Sequence, residues 1–361
     1  MFLLLELPEP YQRDLITRIL CCVSVSLWRI LSVPSVSSVA ITPALLPGTS
    51  TIARSCRRLP RSRALLLAPL AAATIFAQTA PLPNRPDSVK FAAIGDNGTG
   101  DRPQYEIAQQ MTNAHGTFPF DLVIMLGDNM YGGQRPGDFV KKFEQPYAAL
   151  LSAGVKFQAS LGNHDRPENV SYKPFNMNGQ RYYTFANKNV RFFALDSTQL
   201  DSKQLAWIDT SLRDAREDWK ICYFHHPLYS NARRHGSSVD LRVLLEPIFI
   251  KYGVNVVITG HDHVYERLTP QKGIYYFVSG SAGQLRKGNI RRSDATAAFF
   301  DQDQSFMLVE IAGSDFHFQV ISRTGKTVDS GVLYRQRQPR DTGRTLNGDA
   351  ADWADTVSHW P

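Results

Sequence analysis

From Val89 onward the chain repeats one pattern, in which a short, nearly continuous apolar run ends at a polar residue able to bind a metal. The runs cover residues 89–94, 122–126, 157–161, 221–224 and 254–259. They lead to Asp96, to Asp128, to Asn163 and His164, to His225, and to His261 and His263; four of the five pass through a glycine (Gly95, Gly127, Gly162, Gly260). Between them, apolar positions recur at helical spacing over residues 103–114, 138–153, 202–216 and 239–252. Strands alternating with helices, with apolar runs too continuous for one-sided burial, predict an α/β fold whose mainly parallel sheet is covered on both faces. In such sheets ligands bind beyond the carboxyl ends of the strands, so all five polar ends are expected on one edge.

Each piece alone is weak, because Gly-Asp after a strand is common turn chemistry and two histidines at i, i+2 often decorate a strand end. Asp, Asp, Asn-His, His and His-x-His at five of five strand ends is a different matter. Carboxylate, amide and imidazole converging on one edge is a donor set for metal ions.

The composition is that of a globular chain. With 361 residues, 43% hydrophobic and 20% charged, it can bury a sizeable core, which excludes disordered, collagen-like and coiled-coil classes. The net charge of +7 raises the question of a nucleic-acid partner. Residues 1–77 carry eight Arg and no Lys against Glu6, Glu9 and Asp14, a net +5, which leaves only +2 for the other 284 residues. A basic leader on a nearly neutral body removes most of the case for nucleic acid as main partner. The cluster at 286–292 (RKGNIRR) reads as a solvated loop.

The leader has its own logic. Arg57, Arg58, Arg61 and Arg63 precede an apolar stretch at 64–76, too short to span a bilayer comfortably, and Ala77 could sit at a cleavage point. This predicts an exported protein, periplasmic or secreted, with no stable membrane span in the mature form. Residues 1–77 are expected as leader (1–56 pointing to a start assigned too early), 78–88 as a Pro-rich linker, 89–335 as the domain, and 336–361 as a polar tail in which Trp353 and Trp360 could dock. Cys21, Cys22 and Cys56 would leave with the leader, so Cys222 would stand alone, without a disulfide.

The blocks GDNG (95–98), GDNMY (127–131), GNHD (162–165), FHHP (224–227) and GHDH (260–263) resemble the ordered motifs of the calcineurin-like metallophosphoesterases, most of all the purple acid phosphatase branch with its small tartrate-resistant members. The resemblance runs from Val89 to Val332. It implies a four-layer α/β/β/α sandwich, with a second sheet expected from the segments near 182–195, 274–279, 305–311 and 316–322. It also implies two metal ions: a first held by Asp96, Asp128, Tyr131 and His263, and a second held by Asp128, Asn163, His225 and His261, with Asp128 bridging. Generic members of the family carry Asp-x-His at the first strand end, but here the third position is Gly98. Tyr131 supplies the hard phenolate donor that the purple branch uses for Fe(III), and the second ion is expected to be Fe(II), Zn or Mn.

The implied reaction is hydrolysis of a small phosphate ester, most of all a phosphomonoester, by attack of a metal-bound hydroxide in mildly acidic medium. His164 has no metal position left, and the resemblance makes it the acid that assists the leaving oxygen, with Asp165 as its orienting partner. His226 is either a substrate contact or a turn histidine; His115, His235, His317 and His359 fall outside the blocks and read as surface or structural. A phosphodiesterase would use the same ligands, and loop residues such as Tyr172, Arg181, Tyr229, Arg233 and Arg234 would separate the two. A non-catalytic cell-surface binding protein built on the same scaffold predicts decay of the ligands, and all seven are present. Oligomeric state is not legible in the sequence.

Overall fold

A computed structural model describes residues 81–335. The expected leader (1–77), the tail (336–361), Cys21, Cys22, Cys56, His359, Trp353 and Trp360 lie outside the described residues. The strands are β1 (Val89–Ile94), β2 (Leu122–Leu126), β3 (Lys156–Ser160), β4 (Tyr183–Asn187), β5 (Val190–Ala194), β6 (Trp219–Phe224), β7 (Val256–Thr259), β8 (Tyr265–Leu268), β9 (Tyr275–Ser279), β10 (Thr296–Phe300), β11 (Ser305–Ala312), β12 (Asp315–Ser322) and β13 (Thr327–Tyr334).

They form two sheets rather than one. The first has the order β13-β12-β11-β1-β2-β3 and the second β10-β8-β9-β7-β6-β5-β4. Within the first, β1, β2 and β3 are parallel while β11, β12 and β13 run antiparallel beside them. Within the second, β5, β6, β7 and β9 are parallel, and β4, β8 and β10 pair antiparallel around them. Two sequence expectations are corrected here. The five motif strands do not share one sheet, since three lie in the first and two in the second. Segments 305–311 and 316–322 join the motif strands of the first sheet instead of forming the second. Apolar alternation fixes which residues face a core, but which strand pairs with which depends on contacts distant in sequence.

The core explains the layering. Phe91, Ile124 and Leu126 from the first sheet meet Phe192, Ile221, Tyr223 and Ile258 from the second, all fully or almost fully buried. Their sequence neighbours Ala92, Ile94, Val123 and Met125 turn the other way, onto Ile107 and Met111 of α1 (Arg102–Thr117). On the far side Phe193, Cys222, Phe224 and Val257 pack against Ile208 and Leu212 of α4 (Ser202–Asp214) and Leu245 and Phe249 of α5 (Val239–Lys251). The result is four layers, α/β/β/α. Burying each such side chain is worth about 1.5–3 kcal/mol. Cys222 is a buried free thiol.

The helix expected over 138–153 is interrupted. It appears as α2 (Pro136–Phe139), a π segment (Val140–Glu144) and α3 (Ala148–Ser152). Lys142 in the π segment is buried, and its ammonium donates to the carbonyls of Tyr131 and Gly133. A regular helix would rotate that side chain elsewhere, and π segments recur where function demands such placement. The helix over 202–216 opens at Asp201, whose carboxylate accepts the Gln204 N–H at 2.8 Å. None of the helices among the described residues is long and apolar enough to cross a membrane.

Candidate metal centre

The parallel strands of both sheets end at one place. β1 delivers Asp96, β2 delivers Asp128, and β3 delivers Asn163 and His164; across the seam β6 delivers His225 and β7 delivers His261 and His263. Three of these residues sit in the left-handed backbone region, Asp96 at φ 55°, Asp128 at 51° and His261 at 68°. Such conformations cost about 1–3 kcal/mol each and persist where surrounding bonds enforce them. Those bonds are present: Asp96 N–H donates to the Gly127 carbonyl at 3.1 Å, Gln284 N–H to the Asp96 carbonyl at 2.9 Å, and His261 N–H to Asp96 Oδ2 at 2.8 Å. Gly127, at φ +84°, has no alternative, because a Cβ there would lie 2.7 Å from His225 Nδ1.

One group of donors comprises Asp96, Asp128 and His263, with Tyr131 beside them. Tyr131 donates its hydroxyl to Asp96 Oδ1 at 2.9 Å and lies 3.1 Å from His263 Nε2, which is itself 3.3 Å from Asp96 Oδ1. Burial, then Asp96 and Asp128, hold the Tyr131 phenol far above its ordinary range. The backbone accounts for Gly98. Tyr131 N–H donates to the Gly98 carbonyl at 2.9 Å, and a Cβ at position 98 would lie 1.8 Å from the Asn129 carbonyl oxygen. No side chain, histidine included, fits at 98 in this backbone, and the hydroxyl that reaches Asp96 and His263 comes instead from Tyr131, on the loop after β2.

The other group comprises His225, His226 and His261. His225 is fully buried and gives its Nδ1 proton to the Leu126 carbonyl at 2.9 Å. That fixes the tautomer and leaves Nε2 facing Asn163 Oδ1 at 3.1 Å, His261 Nδ1 at 3.1 Å and Asp128 Oδ2 at 3.4 Å. Burial opposes charge on His225, but Asp128 prevails and raises it to about 9. Asp128 answers in kind: burial pushes its carboxyl up, while His225 and the His164 N–H hold it well below the usual carboxylate range. His226 takes Ser197 Oγ at 2.9 Å on Nδ1, and burial with the nearby His225 charge lowers it to about 3.

His164 and Asp165 divide differently from expectation. The His164 ring is half in solvent, with 51% of its side chain exposed, 4.6 Å between centroids from Tyr131 and with Nε2 4.0 Å from Asp128 Oδ2. Its backbone N–H donates to Asp128 Oδ1 at 2.8 Å. Asp165 makes no described hydrogen bond to that ring. It accepts from the N–H groups of Gly162 (2.9 Å), Asn129 (3.1 Å) and Met130 (3.0 Å), so it ties the β3 loop to the β2 loop, and burial pushes its carboxyl up to about 7. His235, read from the sequence as surface or structural, lies with its ring centroid 4.3 Å from that of His261, the rings tilted by 43°, and so stands at the site. Nothing in its local sequence flags this, because it lies in a loop and the fold alone brings it there.

The residues fit a pair of cations. Asp96 and Asp128 are buried, and among the described residues neither pairs with a Lys or Arg. Two carboxylates withdrawn from water beside a cluster of imidazoles and a phenol need positive charge to be stable.

This arrangement defines a metal-dependent phosphoesterase class, and comparison with known proteins agrees. Residues 89–265 match the calcineurin-like phosphoesterase family and constitute a domain of that family. The chain is 26% identical over 321 residues to human (Homo sapiens) tartrate-resistant acid phosphatase type 5, covering 74% of this chain and 98% of the human protein. It is 24% identical over 289 residues to purple acid phosphatase 17 of Arabidopsis thaliana, covering 69% and 85%. Among solved structures it is similar in fold to a purple acid phosphatase from yellow lupin (Lupinus luteus), with TM-score 0.58 and 18% identity over 71% of this chain and 55% of that one. It is also similar to GAP50, the anchor in the inner membrane complex of Plasmodium, with TM-score 0.60 and 18% identity over 70% and 90%.

Proposed function

We propose that this protein is a phosphoric ester hydrolase of acid phosphatase type, acting on small phosphomonoesters at a dinuclear metal centre. The observation that carries the reading is the meeting of oxygen donors from one sheet and imidazoles from the other at a single point, with the Tyr131 hydroxyl between Asp96 and His263. A first ion, Fe(III), is assigned to Asp96, Asp128, Tyr131 and His263. A second, Fe(II), Zn or Mn, is assigned to Asp128, Asn163, His225 and His261. When bound, the cations supply neutralisation of phosphoryl charge and activation of water at mildly acidic to neutral pH.

The chain's own residues do the rest. His164, exposed at the mouth and anchored through its backbone to Asp128, holds a proton for the departing alcohol oxygen. Asp165 sets the loop on which His164 and Asn163 ride, acting through backbone amides rather than through the imidazole. His226 and His235 flank His261 on the histidine side of the mouth, where they would meet the phosphoryl oxygens of a bound ester. The domain is assigned to 89–335, and the Arg-rich and apolar segments at 57–76 support export with cleavage near Ala77, which N-terminal sequencing of the exported protein checks.

Metal analysis and a visible spectrum, combined with hydrolysis of p-nitrophenyl phosphate before and after chelation, test the centre. Two ions per chain and activity lost on chelation and regained on reloading are expected. Full loading with no hydrolysis would remove the phosphatase reading.

A further inference from the structure

Two loops wall the histidine side of the site and are stitched together. Ala232 bridges Ile290, Arg233 N–H donates to the Asn289 carbonyl at 2.8 Å, and Arg291 N–H donates to the Asn231 carbonyl at 2.9 Å. Arg286 N–H donates to the carbonyl of His263 at 2.9 Å, so the second loop is tied to the metal-facing strand end itself. These loops carry Arg233, Arg234, Arg286, Lys287, Arg291 and Arg292.

Among the described residues none of the six side chains forms a salt bridge or donates a hydrogen bond. Arg292 only lies over the Phe299 ring, and Arg286 Nε is buried without a partner. Elsewhere several arginines are paired, Arg181 with Asp196, Arg191 with Glu217, Arg267 with Asp329, and Arg323 with Glu106 and Asp303, while the unpaired Arg85, Arg166 and Arg216 stand singly in the sequence rather than clustered. Three of the acids beside the two loops are already engaged by neutral donors, while Asp294, in the second loop, makes no described bond to any of the six. Glu266 accepts from Asn231 and Thr296, Asp301 from the Ile290 N–H and Gln302, and Asp262 from Ser230. Between the loops lies a cavity of about 750 Å³ lined by Asn231, Ala232, Arg233, Arg291, Arg292 and Ser293. Arg233 is two residues from His235, at most about 7 Å of extended chain.

We propose that this arginine-lined cavity is a second anion subsite, which selects phosphomonoesters whose leaving group carries a further phosphate a few bonds from the scissile one. The proposal rests on the phosphatase reading of the metal centre and names its substrate class. Guanidinium forks match phosphate geometry and form charge-assisted bonds, and unpaired arginines need not first release an acid. A single-phosphate substrate fills the metal centre and leaves the cavity to solvent.

Adenosine 3′,5′-bisphosphate compared with adenosine 3′- and 5′-monophosphates tests this in the metal-loaded full chain. The bisphosphate should have a kcat/KM higher by about tenfold or more, falling as salt is raised. The double variant Arg291→Gln, Arg292→Gln should bring that ratio close to one through KM, with kcat and KM for p-nitrophenyl phosphate unchanged. A wild-type ratio near one, or an equal loss on both substrates, overturns the subsite while leaving the phosphatase reading intact. If wild type turns over no phosphomonoester, calorimetric titration with the bisphosphate still decides: binding weakened about tenfold in the variant supports the subsite, and equal binding overturns it. Circular dichroism excludes misfolding, and Arg291→Lys, which keeps charge without the fork, should retain part of the preference.

Discussion

The two sheet edges that meet at the site are chemically unlike. The six-stranded edge supplies oxygens, from Asp96, Asp128, Asn163 and, on the loop after β2, Tyr131. The seven-stranded edge supplies nitrogens, from His225, His226, His261 and His263. Apart from those of His164, which sits on the oxygen edge itself, the contacts from acid, amide or phenol to imidazole therefore cross the seam: Asp96 to His263, Asp128 to His225, Asn163 to His225, Tyr131 to His263. The site is positioned by whatever aligns the two sheets, which is the apolar layer of Phe91, Ile124, Phe192, Ile221 and their neighbours between them. Rigid elements on both sides hold the donors to the narrow tolerance a metal pair requires.

Asp128 is the one oxygen donor assigned to both ions, so its removal is the severest way to break the pairing of edges. Asp128→Ala should lose both ions and lower activity by more than about 10³-fold. His225→Ala, on the opposite edge, should lose only the second ion. Metal content by mass spectrometry separates these outcomes, and retention of one tightly bound ion in Asp128→Ala would refute the bridging assignment.

His164 belongs to the oxygen edge but is assigned to neither ion, which gives a second test. His164→Ala should keep both ions and reduce turnover by about 10²–10⁴-fold, most strongly for substrates with poor leaving groups. Equal metal loss in His164→Ala and Asp128→Ala would make His164 a ligand. Next in size is Asp165→Asn. Because Asp165 holds the amides of Gly162, Asn129 and Met130, the loss should appear as a 10–100-fold weaker affinity for the second ion, with little change in turnover once metal is in excess. A drop in kcat at saturating metal, matching that of His164→Ala, would restore Asp165 as that imidazole's partner.

The sequence displays the donors more clearly than their arrangement. All five strand ends are legible because a buried parallel strand is an unbroken apolar run and its polar terminus stands out. The division of those strands between two sheets is not, since β11 pairs with β1 across more than 200 residues and no local pattern encodes that register. Tyr131 is legible only against the absent histidine at 98, and the structure gives the steric cause in the Asn129 carbonyl. His235 and the basic segment at 286–292 read as solvated loop because their chemistry arises from being stitched to one another beside His261 and His263. The role expected for Asp165 fails to match its bonds for a related reason: adjacency in sequence to His164 suggested a side-chain pair, whereas the turn aims the carboxylate at backbone amides.

The mildest test bears on what distinguishes the oxygen edge from that of a generic dimetal site. Tyr131→Phe preserves the ring and its 4.6 Å contact with the His164 ring while deleting the oxygen that reaches Asp96 and His263. If Tyr131 binds Fe(III), the phenolate passes charge to the metal and the oxidised protein is coloured. The variant should then lose that colour while its thermal midpoint shifts by only a few degrees, since one buried hydrogen bond contributes about 1 kcal/mol. Activity should fall only several-fold, because Asp96, Asp128 and His263 still hold the first site. The hydroxyl does not touch the histidine group, so occupancy of the second ion should be unchanged. A wild-type protein that is colourless with two divalent ions would withdraw the iron and the mildly acidic optimum together. The phosphoester chemistry would stand, and the phenol would remain as the group whose hydroxyl reaches Asp96 and His263.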